Sequence, residues 1–448
     1  VNWAYASALP GVAWPALPAS AGASVLALLF QLERTQWLAA DRLEQLQRQQ
    51  LARLMEHAWR TVPFYRQRWA RRPVAADLER LPPLERRDLQ ENFEALKSVE
   101  LPAEHGGAGE TRTSGATGMP VRLLRSGVSN LMWRALTLRE HRWHRRDLGA
   151  KLAVIRQGSA AGEARSWGPA TDGVAATGPL VALPIGTDVD AQLDWLASQG
   201  PAYLYTYPSN VGALARASLG RGIRLHGLRE VRTLGEQLDP ELRELCREAW
   251  GVPVVDTYSA QEVGYIALQC PSAEHYHLQA ESLVVEVLND AGRPCVAGEV
   301  GRVVVTDLHN FATPLVRYVL GDYAAVGEAC RCGRGLATLQ RVFGRARNML
   351  LTRDGKRYWP AFGSRALPTL AAIVQHQFVQ KEHDLVEARL VTAAPLSGAQ
   401  EAAVRAHVLS RLPAGFRLDL VRRDRIERTA GGKFEEFVCE VPPSGAGP

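Results

Sequence analysis

The chain has 448 residues, 46% of them hydrophobic and 22% charged, with a formal net charge of +6. That length supports large buried cores and two or more domains, and the composition is that of an ordinary globular protein. The basic residues are dispersed instead of forming a stripe with interleaved aromatics, which argues against a nucleic-acid partner, and six unevenly spaced cysteines do not make a disulfide framework.

Residues 21–30 are apolar but too few to span a bilayer. No basic stretch precedes them and the charged run QLERTQW follows, so the segment reads as a helix lying on the protein body, not as a signal peptide. The expectation is a cytoplasmic protein with no membrane partner. Apolar residues then recur at Leu43, Leu46, Leu51, Leu54, Met55 and Ala58, one buried stripe on an arginine-rich helix. LPPLERRDL at 81–89 is a proline-stopped loop that feeds a further helix. Past residue 150, strands (KLAVIRQ, YLYTY, VRTLGE, VPVVDTYS) alternate with helices near 190–199, 209–219 and 240–250, which predicts an α/β architecture with largely parallel strands. From 283 the β-branched runs LVVEVLN and GRVVVTDL, separated by turn residues, predict antiparallel pairing. After Arg345 about 100 residues read as strand, helix, strand, helix, strand, a compact α+β segment.

The run TSGATGMP at 113–120 is built like a polyphosphate-gripping loop. Gly115 and Gly118 let the backbone turn tightly and bring its N–H groups close to an anion, while Thr113, Ser114 and Thr117 add hydroxyl donors. The strict P-loop pattern is absent, because no GK[ST] follows the glycines. Lysine is scarce, occurring only at 97, 151, 356, 381 and 433, so arginine carries the positive charge. Guanidinium suits bidentate grip on phosphate, although codon bias is the simpler account.

Four further runs follow in order: VDTYSAQEVG at 255–264, RYVLGDY at 317–323, FGRARNML at 343–350 and RTAGGKFEEF at 428–437. With the 113–120 loop they resemble the adenylate-forming superfamily of acyl- and aryl-CoA ligases, carrier-protein adenylation domains and luciferases. The resemblance is to its phenylacetate–CoA ligase and capsule-biosynthesis (coenzyme-F synthetase-like) branch. HAWRTVPFYRQRW, YTYPSNVGALA and TLGEQLDPELRELC fit that branch too, so the resemblance spans about residues 31–439.

The resemblance implies a large N-terminal AMP-binding domain (1–345) of mixed sheets and helices and a small mobile α+β lid (346–448). It also implies a reaction in which a carboxylic acid is activated by ATP as an acyl-adenylate and then passed to coenzyme A; an amine or a carrier-protein thiol are the alternative acceptors. A degenerate nucleotide-binding protein without activity is a reading of a different class. By position, Thr113, Ser114, Gly115, Thr117 and Gly118 would hold phosphates, with Met119 standing where the family usually has lysine. Gly235, Glu236, Asp256, Tyr258 and Ser259 would bind the nucleotide, Tyr258 stacking on or flanking adenine and Asp256 accepting from its amine. Asp322 would accept from both ribose hydroxyls, Arg317 would order that strand end, and Arg345 would reach the nucleotide. Glu262 would bind Mg²⁺ and Lys433 would bridge carboxylate and α-phosphate. Arg347 and Asn348 stand where the family commonly has two aspartates at its hinge. Trp133, Tyr205 and Tyr207 would wall a pocket for an aromatic acid, in a region that includes Leu136 and Arg139.

Cys270, Cys330 and Cys332 with a histidine form a donor set suited to closed tetrahedral zinc. His277 is chosen over His275 because it occupies the YHL position that resembles the family's histidine. Cys246, Cys295 and Cys439 stand apart as ordinary thiols.

Overall fold

The computed structural model describes residues 3–113, 120–360, 362 and 366–442. Ser114, Gly115, Thr117, Gly118 and Met119 of the glycine-rich loop therefore lie outside the described residues. The chain divides into two compact units, one of Val1–Leu238 with Leu242–Val342 and the other of Asp239–Glu241 with Phe343–Pro448. The boundary falls after Val342, close to the division after residue 345 expected from the sequence.

The larger unit is organised by a mixed sheet of 12 strands. Strands Leu180–Pro184, Leu152–Arg156, Tyr203–Thr206, Glu230–Leu234 and Val254–Ala260 lie side by side and are all parallel. Direction changes at Gly264–Gln269, which runs antiparallel to Val254–Ala260. Past that point lie Tyr276–Leu278, Thr338–Arg345, Tyr318–Val326, Val300–Asp307 and Leu283–Leu288, and at the opposite edge Gly162–Ala164 pairs antiparallel with Leu180–Pro184. The parallel strands are covered on both faces and buried along most of their length, polar residues of Glu230–Leu234 and Val254–Ala260 included.

Leu193, Val211, Leu214 and Leu245, from the helices Val189–Gln199, Pro208–Arg221 and Pro240–Trp250, cover one face of the parallel strands with a single apolar core. The other face receives helix Gly127–Trp143, which the sequence reading passed over; Leu136, Leu138 and Trp143 join Leu29 and Leu32 of helix Ser20–Thr35 there. Ser126 caps the Gly127–Trp143 helix, its hydroxyl accepting from the Ser129 N–H. Helix Ala40–Thr61 buries Leu43, Leu51, Leu54, Met55 and Ala58, as its stripe predicts, while Leu46 is left outside the buried set.

Between helix Gly127–Trp143 and strand Glu230–Leu234 lies a buried ionic network. Glu140 meets Arg146 at 3.0 Å and Arg232 at 2.6 Å, and Arg146 reaches Glu230 at 2.6 Å. Burial works against the Glu140 anion, but the Arg146 and Arg232 guanidiniums win and hold its carboxyl well below the usual range. Burial dominates at Glu230 and pushes it up. Two carboxylates and two guanidiniums thus balance in a buried region.

The smaller unit has a four-stranded sheet in the order Arg417–Arg422, Leu385–Thr392, Ile373–Glu382, Phe437–Cys439. Helix Gly398–Leu409, capped by Ser397, lays Val404 and Val408 on a core with Phe378, Val386 and Phe437. None of the described helices is long and apolar enough to cross a membrane.

Candidate active site and metal-binding cluster

Pairing changes from parallel to antiparallel at strand Val254–Ala260, whose carboxyl end is the kind of place where α/β sheets bind ligands. Tyr258 and Ser259 lie on this strand and Glu262 in the turn beyond it, before Gly264 with its φ of +79°. The neighbouring loop begins at Gly235, with a φ of +74°, where a side chain would be strained. The adjacent Glu236 accepts from the backbone N–H of Ser209 at 2.9 Å and from its hydroxyl at 3.1 Å, tying this loop to the start of helix Pro208–Arg221.

Two contacts join this strand end to strand Tyr318–Val326. The Tyr258 hydroxyl donates to Asp322 Oδ2 at 3.0 Å, and the Tyr318 hydroxyl to Glu262 Oε1 at 3.5 Å. Arg86 completes the group. Its Nη1 lies 3.3 Å from Glu262 Oε1 and its Nη2 donates to Thr113 Oγ1 at 3.2 Å. It is placed there because extended Leu84 bonds to both Arg317 and Val319, at the start of strand Tyr318–Val326. Thr113 in turn accepts from the Val121 N–H, closing the base of the glycine-rich loop. Arg86 was not singled out from the sequence, since nothing but an arginine at the start of a short helix marks it.

Other expected residues have different surroundings. Asp256 is buried, and its two oxygens accept from the Thr233 hydroxyl at 2.5 Å and the Tyr276 hydroxyl at 2.7 Å. Burial pushes its carboxyl up. It pins three strands together. Arg317 is buried, has a left-handed backbone (φ +54°), and pairs with Glu286 at 2.8 Å. It orders the segment before Asp322, as expected.

Trp133 lines a narrow depression, with room for about one water molecule, together with Met132, Leu136, Tyr265, Arg125, Asp307 and His309. Tyr205 and Tyr207 do not line it. Tyr207 packs in the core on the helical face, and the Tyr205 ring lies 4.6 Å from the Arg232 guanidinium. Arg139 is fully buried against Glu281 at 2.6 Å and is likewise no pocket wall.

Cys270, His277, Cys330 and Cys332 come together, their ligand atoms all within 4.8 Å of one another. Cys270 Sγ and Cys330 Sγ are 3.8 Å apart, and Cys332 Sγ is 3.4 Å from His277 Nε2. Tetrahedral zinc, with Zn–S near 2.3 Å and Zn–N near 2.0–2.1 Å, calls for separations of about 3.5–3.8 Å, so the donor set fits. His277 Nδ1 lies 3.2 Å from the Leu336 carbonyl, to which it donates in the tautomer that leaves Nε2 as the ligand atom. His275 is outside the cluster, its ring centroid 5.4 Å from that of His277.

In the smaller unit, a turn closed by Thr429 N–H to the Lys433 carbonyl (2.8 Å) presents Lys433 exposed to solvent. Arg345 N–H donates to Asn348 Oδ1 at 3.3 Å. The residues Arg347 and Asn348 are engaged with the Lys433-bearing segment: Arg347 pairs with Glu435 at 2.6 Å, and Asn348 Nδ2 donates to the Phe437 carbonyl at 2.7 Å.

Comparison with known proteins agrees with this architecture. The chain is 26% identical to a phenylacetate-coenzyme A ligase of Thermus thermophilus over 389 residues, 81% of this chain and 84% of that protein. It is 25% identical to the phenylacetate-coenzyme A ligase of Pseudomonas putida over 354 residues, 72% and 75% of the two chains. A crystal structure of 2-hydroxyisobutyryl-CoA ligase in the postadenylation state, with R3-HIB-AMP bound, superposes with a TM-score of 0.71 at 22% identity, covering 91% of each chain. No family model matches the chain. The chain is thus similar in sequence to phenylacetate-coenzyme A ligases and shares the fold of 2-hydroxyisobutyryl-CoA ligase, here a large mixed α/β unit and a smaller C-terminal one.

Proposed function

We propose that this chain is an ATP-dependent ligase that activates a carboxylic acid as its acyl-adenylate, releasing pyrophosphate, and then transfers the acyl group to coenzyme A. The observation that carries the reading is the convergence of Thr113, Glu262, Tyr258 and Asp322 at one end of the sheet, bound through Arg86 and two tyrosine hydroxyls. A carboxylate oxygen of the acid attacks the α-phosphorus of ATP, and the bond to the β-phosphate oxygen breaks. This reaction asks the protein for positioning and charge neutralisation more than for covalent help.

Asp322, with two acceptor oxygens, suits the vicinal ribose hydroxyls, and Tyr258 suits the flank of adenine. The glycine-rich loop, closed at its base by the Val121 N–H on Thr113, would hold the phosphates. Glu262 would hold Mg²⁺, which when bound neutralises phosphate charge. Lys433, an exposed ammonium on a glycine turn, is suited to the carboxylate and α-phosphate as negative charge develops between them. The smaller unit acts as a lid that delivers Lys433 for the first half-reaction and withdraws it for the second. Cys270, His277, Cys330 and Cys332 would hold a structural zinc that ties two turns of the larger unit together.

The test is acid-dependent pyrophosphate release by the purified chain with ATP and Mg²⁺, across a panel of carboxylic acids, with coenzyme A, amines or carrier protein added in turn. The reading requires release driven by at least one acid and thioester formation with coenzyme A. Acid-dependent release with transfer only to an amine or a carrier thiol would replace the acceptor alone, and no acid-dependent release at all would overturn the reading.

A further inference from the structure

The three cysteines and His277 are enclosed by a further layer of groups that reaches the N-terminal helix. Cys330 and Cys332 lie in the turn between strands Tyr318–Val326 and Thr338–Arg345. Two of the sulfurs accept a backbone N–H from two residues on: Ser272 donates to Cys270 Sγ at 3.4 Å and Cys332 to Cys330 Sγ at 3.3 Å. The third is served by a side chain, since Arg334 Nη1 donates to Cys332 Sγ at 3.4 Å.

Arg334 holds more than the thiol. Its Nε donates to Gln36 Oε1 at 3.0 Å, and its guanidinium lies 4.4 Å from the Trp143 ring and 4.7 Å from the Trp37 ring. Trp143 Nε1 donates to the same Gln36 oxygen at 2.7 Å, and its ring stands at 81° to that of His277 with centroids 5.7 Å apart. The backbone is joined as well, the Gly335 N–H donating to the Gln36 carbonyl at 2.9 Å. A Cβ on Gly335 would fall 1.8 Å from the Leu38 carbonyl oxygen, so this approach needs glycine. Gln36, Trp37 and Leu38 directly follow helix Ser20–Thr35, which buries Val25, Leu29 and Leu32.

Charge explains why an arginine is there. Three thiolates and a neutral imidazole around Zn²⁺ leave one negative charge over, in a cluster whose Cys270 and His277 are buried. Such a charge needs a partner. Guanidinium is weakly hydrated and forked, so one nitrogen can face the thiolate while another holds Gln36. Resting on the zinc reading above, we infer that Arg334 is a positioning residue of the metal centre, and that through it the bound metal fastens helix Ser20–Thr35 to the larger unit. The metal orders Cys332, Cys332 orders Arg334, and Arg334 fixes the Gln36 amide at the end of the helix.

The experiment uses the full chain loaded with zinc and has two readouts: zinc affinity by competition with a colorimetric chelator, and hydrogen exchange of residues 20–38. Arg334→Met should hold zinc about 10–100-fold less tightly. With zinc still bound, it should also speed exchange at residues 20–38 and leave strand Val254–Ala260 as protected as in wild type. Arg334→Lys keeps the charge without the fork, so it should retain zinc better than Arg334→Met while loosening the helix as much. Stripping zinc from the wild type should loosen residues 20–38 in the same way. Unchanged zinc affinity in Arg334→Met, or exchange at residues 20–38 that ignores zinc, would overturn the inference and leave the zinc reading standing. Loosening of Val254–Ala260 to the same extent would also overturn it, as a general effect. Should Arg334→Met fail to fold, Trp37→Leu removes only a half-exposed ring from Arg334 and must move both readouts in the same direction. Wild type without zinc by elemental analysis would end the zinc reading and this inference with it.

Discussion

Replacing Arg146 by methionine probes the network that supports the sheet from below. Arg146 contacts Glu140, Glu230 and His141, and none of the three acid or guanidinium side chains is more than 8% exposed. Its removal leaves two buried carboxylates sharing Arg232. Breaking one partner out of such a buried set costs about 3–5 kcal/mol. The protein has a cheaper escape, because Glu230, already raised by burial, can take up a proton. From a reference of 4.5, that uptake costs at most about 3.5 kcal/mol at pH 7 and about 2 kcal/mol at pH 6. The sign follows directly. A carboxyl whose folded-state pKa is raised binds its proton more readily folded than unfolded, so the variant recovers stability relative to wild type as pH falls. The deficit should be about 3 kcal/mol at pH 7 and shrink by about 1.4 kcal/mol per pH unit down to the ordinary carboxylate range. Urea unfolding followed by tryptophan fluorescence measures it. In a Trp359→Phe background every remaining tryptophan belongs to the larger unit, so that unit's transition is read by itself. A deficit that does not change with pH, or one below about 1 kcal/mol at pH 7, would refute the reasoning.

Lys433→Ala should lower kcat for adenylate formation by at least ~10² with ATP binding nearly intact, because its interaction is strongest in the transition state; near-normal acid-dependent pyrophosphate exchange would remove its role. Asp322→Ala should weaken ATP binding by roughly 1.5–3 kcal/mol for each charge-assisted bond lost, and unchanged affinity by calorimetry would rule out a ribose contact. Elemental analysis of untagged protein should find one zinc per chain, lost in Cys330→Ser and Cys332→Ser together with a fall in Tm; fully stable metal-free wild type would refute a structural zinc. Arg347→Pro restricts the backbone and removes the pair with Glu435, and it should slow one half-reaction far more than the other in single-turnover assays. Equal slowing of both would argue against a swivel at this position.

The α/β texture was legible because strand and helix periodicities are local: the parallel run, the antiparallel strands after residue 283 and the C-terminal α+β segment all show in short windows. Motif order pointed to the chemistry for the same reason, since each motif is a handful of neighbouring residues. Helix Gly127–Trp143 escaped notice although Ser126 offers a cap, because buried residues crowd its C-terminal half on several sides and blur the helical stripe. What no window contains is which residues meet across the fold. Arg86 and Glu262 are 176 positions apart, and Glu140 and Arg232 are 92 apart. Tertiary packing alone decided that Tyr207 is core and that Asp256 is buried between the Thr233 and Tyr276 hydroxyls. The physical reason is that burial and the choice of a polar partner depend on long-range contacts, and each buried group is satisfied by whatever the fold brings beside it.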